Sequence, residues 1–84
     1  MKGLFNKVKN RRTRRRYVIS TICKGENHFE TAIFEANFFY LPRRWDRPAL
    51  TLETHSKDEA WEAHYRLTAR LTLEYPPHLF QEYC

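Results

Sequence analysis

Cysteine is scarce in this sequence, and long apolar runs are absent from it. The two cysteines, Cys23 and Cys84, lie far apart and form no C-x-x-C pair. We therefore expect a soluble protein of a reducing compartment, the cytoplasm, with a Cys23–Cys84 disulfide as the alternative. The basic N-terminus is not followed by an apolar segment, and no run approaches the length of a membrane span. Neither a signal peptide nor a transmembrane helix is expected.

Acidic residues are missing from the first sixteen positions. This segment carries eight basic residues, whereas the rest of the chain carries seven basic and ten acidic residues. The net charge of +5 therefore comes from the N-terminal segment, and the remainder has a net charge of −3. A basic segment on an acid-leaning body indicates an anionic partner, with nucleic acid as the first choice and a membrane surface as the second.

The length of 84 residues allows one small domain after this basic segment. A chain of this size buries only about 60–65 % of its unfolded surface, so a partner or a homo-oligomer would add stability. We divide the chain into an arginine-rich arm at residues 1–16 and a compact domain at residues 17–84. Leu4, Phe5 and Val8 in the arm have helical spacing. Five arginines within six residues repel each other, so we expect the arm to be disordered without a partner.

Hydrophobic patterning predicts three strands in the domain. Residues 17–23 and 29–35 are rich in β-branched and aromatic side chains, and they flank a turn that contains Gly25 and Asn27. This pattern predicts an antiparallel hairpin. Within the second strand, one face is predicted to carry Phe29, Thr31 and Ile33, and the other Ala32 and Phe34. Residues 49–54 also alternate, which predicts a third strand after a loop that is broken by prolines.

A helix is predicted to follow the third strand. Ser56 and Glu59 have the spacing of a capping box, which marks the start of a helix. Its buried face is predicted from the residues that recur at helical spacing: Ala60, Ala63 or His64, Leu67 and Leu71. Pro76 and Pro77 end the helix, and the tail beyond them is expected to fold back on the core. The predicted fold class is α+β, a three-stranded antiparallel sheet with one packed helix in the order β-β-β-α.

Two motifs in the domain carry a resemblance to known proteins. The first comprises Ile19-Ser20-Thr21-Ile22, then Gly25, Asn27 and His28, then Phe29-Glu30-Thr31 and Phe34, and the second comprises Asp58-Glu59-Ala60 and His64. They are similar to motifs of a family of small uncharacterised proteins encoded by tailed bacteriophages. The chain departs from that pattern at Asn27, where the family has aspartate, and at Ala63, where it has glycine. The resemblance implies a phage origin, a small α+β fold and the host cytoplasm, but no reaction.

The arm supplies the first group of candidate nucleic-acid-binding residues. Guanidinium groups bind phosphates bidentately and stack on bases, and an arginine-rich segment can follow a DNA backbone or an RNA groove. The alternatives are the acidic face of a protein, an anionic membrane and a solubilising tail. The candidate residues are Lys7, Lys9, Arg11, Arg12, Arg14, Arg15 and Arg16.

The second group lies in the loop before the third strand. Aromatic residues alternate with arginines between residues 38 and 48, a composition that suits base stacking combined with phosphate neutralisation. It also suits a protein interface, where Trp, Tyr and Arg dominate the binding energy. The structural alternative is that Phe38, Tyr40 and Trp45 cover the open sheet face and leave the arginines in solvent. The candidate residues are Arg43, Arg44, Trp45 and Arg47.

A third group consists of polar residues within the two motifs. If the helix crosses the sheet near the hairpin turn, two imidazoles and a carboxylate converge there. Such a set would contact a small ligand such as a nucleotide or, with less support from ligand spacing, hold a divalent metal. The structural alternative is that His64 is a hydrogen-bonded residue between helix and sheet and His28 a turn residue. The candidate residues are Asn27, His28, Glu30, Thr31 and His64.

The residue types do not favour an enzyme. Catalysis requires a nucleophile with a base, or paired carboxylates, in a sheltered cleft, and Cys23 with His28 or His64 is the only candidate pair. We expect a phage-type accessory protein without a cofactor that binds nucleic acid or a nucleoprotein complex. The alternative is an anti-defence protein that binds a host immune protein or sequesters a nucleotide immune signal. A third hypothesis is a virion component whose arm contacts packaged DNA.

Overall fold

Four strands and two helices make up the computed structural model, which describes residues 3–83 except for the side chains of residues 82 and 83. The strands pair antiparallel in the order β1-β2-β3-β4. The elements are β1 (Gly3–Lys9), β2 (Arg16–Gly25), β3 (His28–Ala36), β4 (Leu50–Thr54), α1 (Lys57–Leu73) and α2 (Pro76–Tyr83). The predicted α+β class, the hairpin and the long helix are confirmed.

The predicted number of three strands is wrong, because the N-terminal segment adds β1 to the sheet. Val8 pairs with Tyr17 and Asn6 with Ile19 across the β1–β2 ladder, and the Val8 side chain is buried. Residues 3–9 of the segment that was expected to be disordered are thus held by the backbone hydrogen bonds of a strand. The expected boundary between residues 16 and 17 falls inside β2.

The main core lies between the sheet and the helices. Alternate side chains of a strand point to opposite faces, and one face of the sheet carries large apolar groups toward α1. Eight buried residues form this core: Val8, Tyr17, Ile19, Ile33, Leu50, Leu67, Leu71 and Leu79. Burial of each leucine stabilises the fold by roughly 1.5–3 kcal/mol. The predicted facing of β3 and α1 is confirmed, since Ile33 and Leu67 are both fully buried.

The opposite face of the sheet has a smaller apolar cluster. It contains Val18, Ala32, Phe34 and Ala36, with Tyr40 packed against them. The ring of Trp45 lies 5.2 Å from that of Phe34 between centroids. The connection from β3 to β4 therefore folds over part of this face, as the structural alternative for Tyr40 and Trp45 requires. Phe38 does not follow that pattern, because its ring contacts Phe39 and the Arg16 guanidinium and does not belong to the apolar cluster.

The ends of both helices follow from their local sequence. Ser56 is the N-cap of α1, and its hydroxyl accepts a hydrogen bond from the Glu59 amide at 3.1 Å. Proline at the first helical position suits a helix start because no amide hydrogen is needed there, and Pro76 begins α2 in this way. The predicted tail is therefore a second helix, with Leu79 buried in the core. Neither described helix combines the length and the apolar character needed to cross a membrane.

Candidate nucleic-acid interface

Two connections of the sheet lie at the same end of the molecule. In a sheet of consecutive antiparallel strands, the β1–β2 and β3–β4 connections meet at one end and the β2–β3 turn lies at the other. Residues 10–16 and residues 37–49 therefore neighbour each other. We call these two segments together the basic end. It carries all the arginines that were predicted to bind nucleic acid: Arg11, Arg12, Arg14, Arg15, Arg16, Arg43, Arg44 and Arg47.

A groove joins the two segments of the basic end. It has a volume of about 420 Å³. Four of its lining residues are arginines: Arg14, Arg15, Arg16 and Arg43. We call it the arginine groove. Its single carboxylate, that of Glu35, lies 3.7 Å from the Arg15 guanidinium. Because both side chains are mostly exposed, this ion pair is weak, and the groove keeps a positive charge.

The β1–β2 turn is ordered by one buried asparagine. The Asn10 side-chain amide donates to the carbonyls of Leu71 at 2.5 Å and Glu74 at 2.6 Å. Its Oδ1 accepts hydrogen bonds from the backbone amides of Arg12 at 2.9 Å and Thr13 at 2.8 Å. Asn10 has no exposed surface. A single side chain thus connects the arginine-rich turn to the end of α1.

Two arginines strengthen this connection. The Arg11 amide donates to the Thr72 carbonyl at 2.9 Å, and Arg12 Nε donates to the Leu73 carbonyl at 2.8 Å. The last carbonyls of a helix lack intrahelical partners and carry partial negative charge, so cationic donors stabilise them. The Arg12 guanidinium also lies 5.0 Å from the centroid of the Tyr75 ring. Arg12 therefore has a structural role and is the least available of these arginines for a ligand.

The first part of the β3–β4 connection is ordered by Asn37. Its Oδ1 accepts hydrogen bonds from the amides of Phe39 at 2.8 Å and Leu41 at 3.1 Å. Its own amide donates to the Leu41 carbonyl at 2.9 Å. The Arg43 amide then donates to the Glu35 carbonyl at 2.9 Å, which returns the chain to the sheet. The loop therefore presents its aromatic and arginine side chains from a fixed backbone.

Five arginines of the basic end are open to an external anion. Among the described residues, no hydrogen-bond or ion-pair partner contacts the side chains of this set: Arg11, Arg14, Arg43, Arg44 and Arg47. Arg16 differs, because its guanidinium lies 4.5 Å from the Phe38 ring centroid and 5.6 Å from that of Tyr40. Its buried Nε has no hydrogen-bond partner among the described groups. The aromatic contacts hold this cation at the wall of the groove.

Lys7 and Lys9 extend the positive charge along the sheet. Both are exposed residues of β1, paired with Val18 and Arg16 respectively. They alternate with Val8, which faces the helices, so their side chains lie on the opposite face of the sheet. That face adjoins the basic end, where Lys9 and Arg14 line a further hollow of about 310 Å³.

The side chains of the third group of candidate residues do not converge on one site. Glu30 and Thr31 are consecutive in β3 and therefore point to opposite faces. Glu30 forms an ion pair with Lys24 at 3.4 Å. His28 Nε2 lies 3.5 Å from Glu53 at the strand ends, and Asn27 is an exposed turn residue with φ of 53°. Among the described residues, no three His, Cys, Asp or Glu side chains converge on a metal position.

His64 and Thr31 belong instead to a buried hydrogen-bond chain. His64 Nε2 lies 2.6 Å from Asn6 Oδ1, and Nδ1 lies 2.8 Å from the Thr21 hydroxyl. That hydroxyl contacts the Thr31 hydroxyl at 2.6 Å. Burial lowers the pKa of the His64 imidazole below its usual value. The chain links β1, β2, β3 and α1, so His64 is a hydrogen-bonded residue between helix and sheet. Its partners Asn6 and Thr21 were not predicted.

The candidate nucleophile Cys23 makes no hydrogen bond to a histidine among the described residues. Its thiol donates to the Gly25 carbonyl at 3.1 Å. The other cysteine of the expected disulfide alternative, Cys84, lies outside the described residues.

Comparison with known proteins yields no relative for this chain. No family model, curated protein or solved structure matches it. Its function is therefore inferred from the geometry and the charge of the basic end.

Proposed function

We propose that this protein binds nucleic acid, alone or within a nucleoprotein complex, through its basic end. One observation carries the proposal: two segments far apart in the sequence supply arginines to a single groove. Arg14, Arg15 and Arg16 come from the β1–β2 connection, and Arg43 comes from the β3–β4 connection. The charge that was predicted for a separate arm is therefore continuous with the charge of the aromatic loop.

The arrangement of the cations favours a polyanion over a single small anion. The open guanidinium groups of Arg14, Arg43, Arg44 and Arg47 are exposed and distributed over a surface. Such a surface suits a chain of phosphates, because each phosphate contact adds a similar electrostatic contribution. A second hollow, lined by Arg43, Arg44 and Arg47 together with Glu35 and Ala49, adjoins the arginine groove through the shared residues Glu35 and Arg43.

Preorganisation of the groove also supports the proposal. Residues that are already ordered lose less conformational entropy when a ligand binds. The β1–β2 connection is held by the Asn10 side chain, and the β3–β4 connection by that of Asn37. The groove therefore needs little rearrangement to receive a phosphate backbone.

The two bacteriophage-like motifs support a role as a phage-encoded accessory protein. They lie in the hairpin and α1, outside the basic end. An anti-defence role built on Asn27, His28, Glu30, Thr31 and His64 has less support, because these residues are distributed over both faces of the sheet.

The proposal is tested by replacing two groove arginines whose side chains make no hydrogen bond or ion pair with the described residues. The double variant Arg14→Gln/Arg43→Gln is expected to bind labelled oligonucleotides about tenfold more weakly or worse, since two charge-assisted contacts of about 1 kcal/mol each are lost. The loss should be similar for different base sequences, because phosphate contacts carry no sequence information. Fluorescence anisotropy measures the affinity, and circular dichroism checks the fold.

The matched control is Arg66→Gln, which removes an exposed arginine from α1, outside the basic end. It is expected to bind like the unmodified protein. Unchanged affinity in the double variant, or an equal loss in the control, would contradict a groove-centred interface.

A further inference from the structure

The basic end exposes three aromatic rings among its arginines. Phe38, Phe39 and Trp45 have 70 %, 74 % and 64 % of their surface exposed. Large exposed apolar groups that are grouped together and surrounded by polar residues mark interaction sites. The exposed Leu41 belongs to the same connection. Charge neutralisation alone does not require these rings, so they point to a second kind of contact with the ligand.

Two of the rings are supported from one side. The Arg16 guanidinium lies over Phe38, 4.5 Å from its centroid, and Phe34 lies 5.2 Å from the Trp45 centroid. Phe39 packs edge-to-face against Phe38 at 5.6 Å. Each supported ring thus has a contact that restrains it, and most of its surface remains in solvent. Such rings are available for stacking with a planar group of a ligand.

The flat groups of a nucleic acid are its bases. Stacking of unpaired bases on aromatic side chains is typical of single-strand binding, and it tolerates any sequence because every base has a π-face. In a duplex the same faces are covered by the neighbouring base pairs. Phe38 lines the arginine groove together with Arg14 and Arg43, so a base on this ring places its phosphates near the cations.

We propose that the basic end takes single-stranded nucleic acid, with unpaired bases stacked on Phe38 and Trp45 and the backbone neutralised by the groove arginines. The inference rests on the proposed function, because it specifies the form of the nucleic acid that the same site binds. It assigns to Phe38, Phe39 and Trp45 a role in ligand binding, in addition to the contact that Trp45 makes with the sheet.

The first experiment compares a fluorescently labelled single strand with the duplex of the same sequence, as DNA and as RNA. The unmodified protein is expected to bind the single strand more tightly than the duplex. Phe38→Ala and Trp45→Ala are each expected to weaken single-strand binding by at least about fivefold, the range found when one stacked base loses its platform. Affinity for the duplex should change little in both variants.

Two variants control this comparison. Tyr65→Ala removes an exposed ring from α1 and is expected to leave single-strand affinity unchanged. Trp45→Phe keeps a flat ring over Phe34 and is expected to restore most of the affinity lost in Trp45→Ala. Circular dichroism of every variant excludes unfolding as the cause of a loss.

A second readout follows Trp45 directly. The protein has two tryptophans, and the other one, Trp61 in α1, packs against Phe29. In a Trp61→Phe background, the fluorescence of Trp45 should be quenched by an unlabelled single strand and unaffected by the duplex.

The outcomes separate this inference from the proposed function. Equal binding of single strand and duplex, with ring variants like the unmodified protein and arginine variants impaired, would overturn stacking but keep nucleic-acid binding. The absence of binding to all four nucleic acids would overturn both. Binding to an acidic protein in that case would reassign the basic end to a protein partner.

Discussion

At the scale of single residues, His64 was a candidate ligand-binding residue, and the structure gives it a structural role. Its two ring nitrogens contact Asn6 and Thr21, and the residue has no exposed surface. A neutral ring satisfies both contacts, with Nε2 donating to Asn6 Oδ1 and Nδ1 accepting from the Thr21 hydroxyl. A protonated ring would bring a charge into the core without a carboxylate to balance it.

This arrangement predicts a loss of stability in acid. The pKa of His64 is lowered by burial in the folded state, whereas in the unfolded state it lies near 6.5. Below about pH 6.5 the unfolded chain binds a proton that the folded chain resists, so stability falls as the pH falls, by up to about 1.4 kcal/mol per pH unit. Above that pH the contribution of His64 is fully present. Thermal unfolding between pH 7.5 and pH 5.5 (roughly one unit on either side of the ordinary value) measures the effect.

His64→Gln removes the titrating group and is expected to flatten this part of the pH dependence. His55→Gln is the control, because His55 is exposed and its replacement should leave the acid response in place. Superimposable pH profiles for the unmodified protein and His64→Gln would show that His64 does not titrate as described.

The hydrogen-bond partners of His64 could not be predicted from the sequence. Helical spacing predicts that position 64 or 63 faces the core, and that prediction is confirmed for both residues. Asn6 lies 58 positions away in the chain, and no local pattern couples them. Thr21 and Thr31 are opposite each other in the β2–β3 register, so their contact follows from the predicted hairpin once the register is known.

At the scale of elements, two residues explain why strand β1 was not predicted from the sequence. Leu4 and Val8 are four positions apart, which fits one face of a helix as well as one face of a strand. Asn6 between them is polar although it faces the helices, and Phe5 is half exposed. These two positions obscure the period-two alternation that identifies a strand. The strand becomes apparent only when its pairing with β2 is known.

The docking of the β1–β2 turn on α1 depends on the Asn10 side chain. Asn10→Ala removes the donor to the carbonyls of Leu71 and Glu74 and leaves both without this partner. We expect the free energy of unfolding to fall by about 2–4 kcal/mol, since buried polar groups that lose their partners cost about 1–3 kcal/mol each. Chemical denaturation measures this loss.

Asn37→Ala is the matched comparison for this prediction. It also removes an asparagine that accepts two backbone hydrogen bonds, but those bonds are exposed, so the loss should be smaller. Equal losses for the two variants, or less than about 1 kcal/mol for Asn10→Ala, would contradict the role given to Asn10.

At the scale of the whole molecule, the uneven distribution of charge along the sequence places positive charge at one end of the fold and negative charge at the other. The basic end lies where β1 meets β2, and the β2–β3 turn lies opposite it together with the start of α1. Acidic residues concentrate at that opposite end: Glu26, Glu30, Glu53, Asp58 and Glu59. If the basic end binds nucleic acid as proposed, a field of this form would orient the protein toward the polyanion before contact.

Both segments of the candidate interface could be recognised in the sequence, but the groove in which they meet could not be predicted. The arginine run and the aromatic loop are visible in the order of residues, and both were proposed as binding segments. The predicted hairpin already places Arg16 opposite Ala36. The fixed positions of Arg14 and Arg15 in the groove depend in addition on the β1–β2 turn, which exists because Gly3–Lys9 is a strand. The same missed strand explains why the fold was predicted with three strands and a separate arm.

The salt dependence of single-strand affinity tests the central claim most directly. Five open arginines, Arg11, Arg14, Arg43, Arg44 and Arg47, predict a slope of about 3.5 in a plot of log Kd against log salt concentration, at about 0.7 for each neutralised phosphate. The Arg14→Gln/Arg43→Gln variant should lower that slope by about 1.4, whereas Arg66→Gln should leave it unchanged. An affinity that does not respond to salt, or an unchanged slope in the double variant, would contradict phosphate binding in the arginine groove.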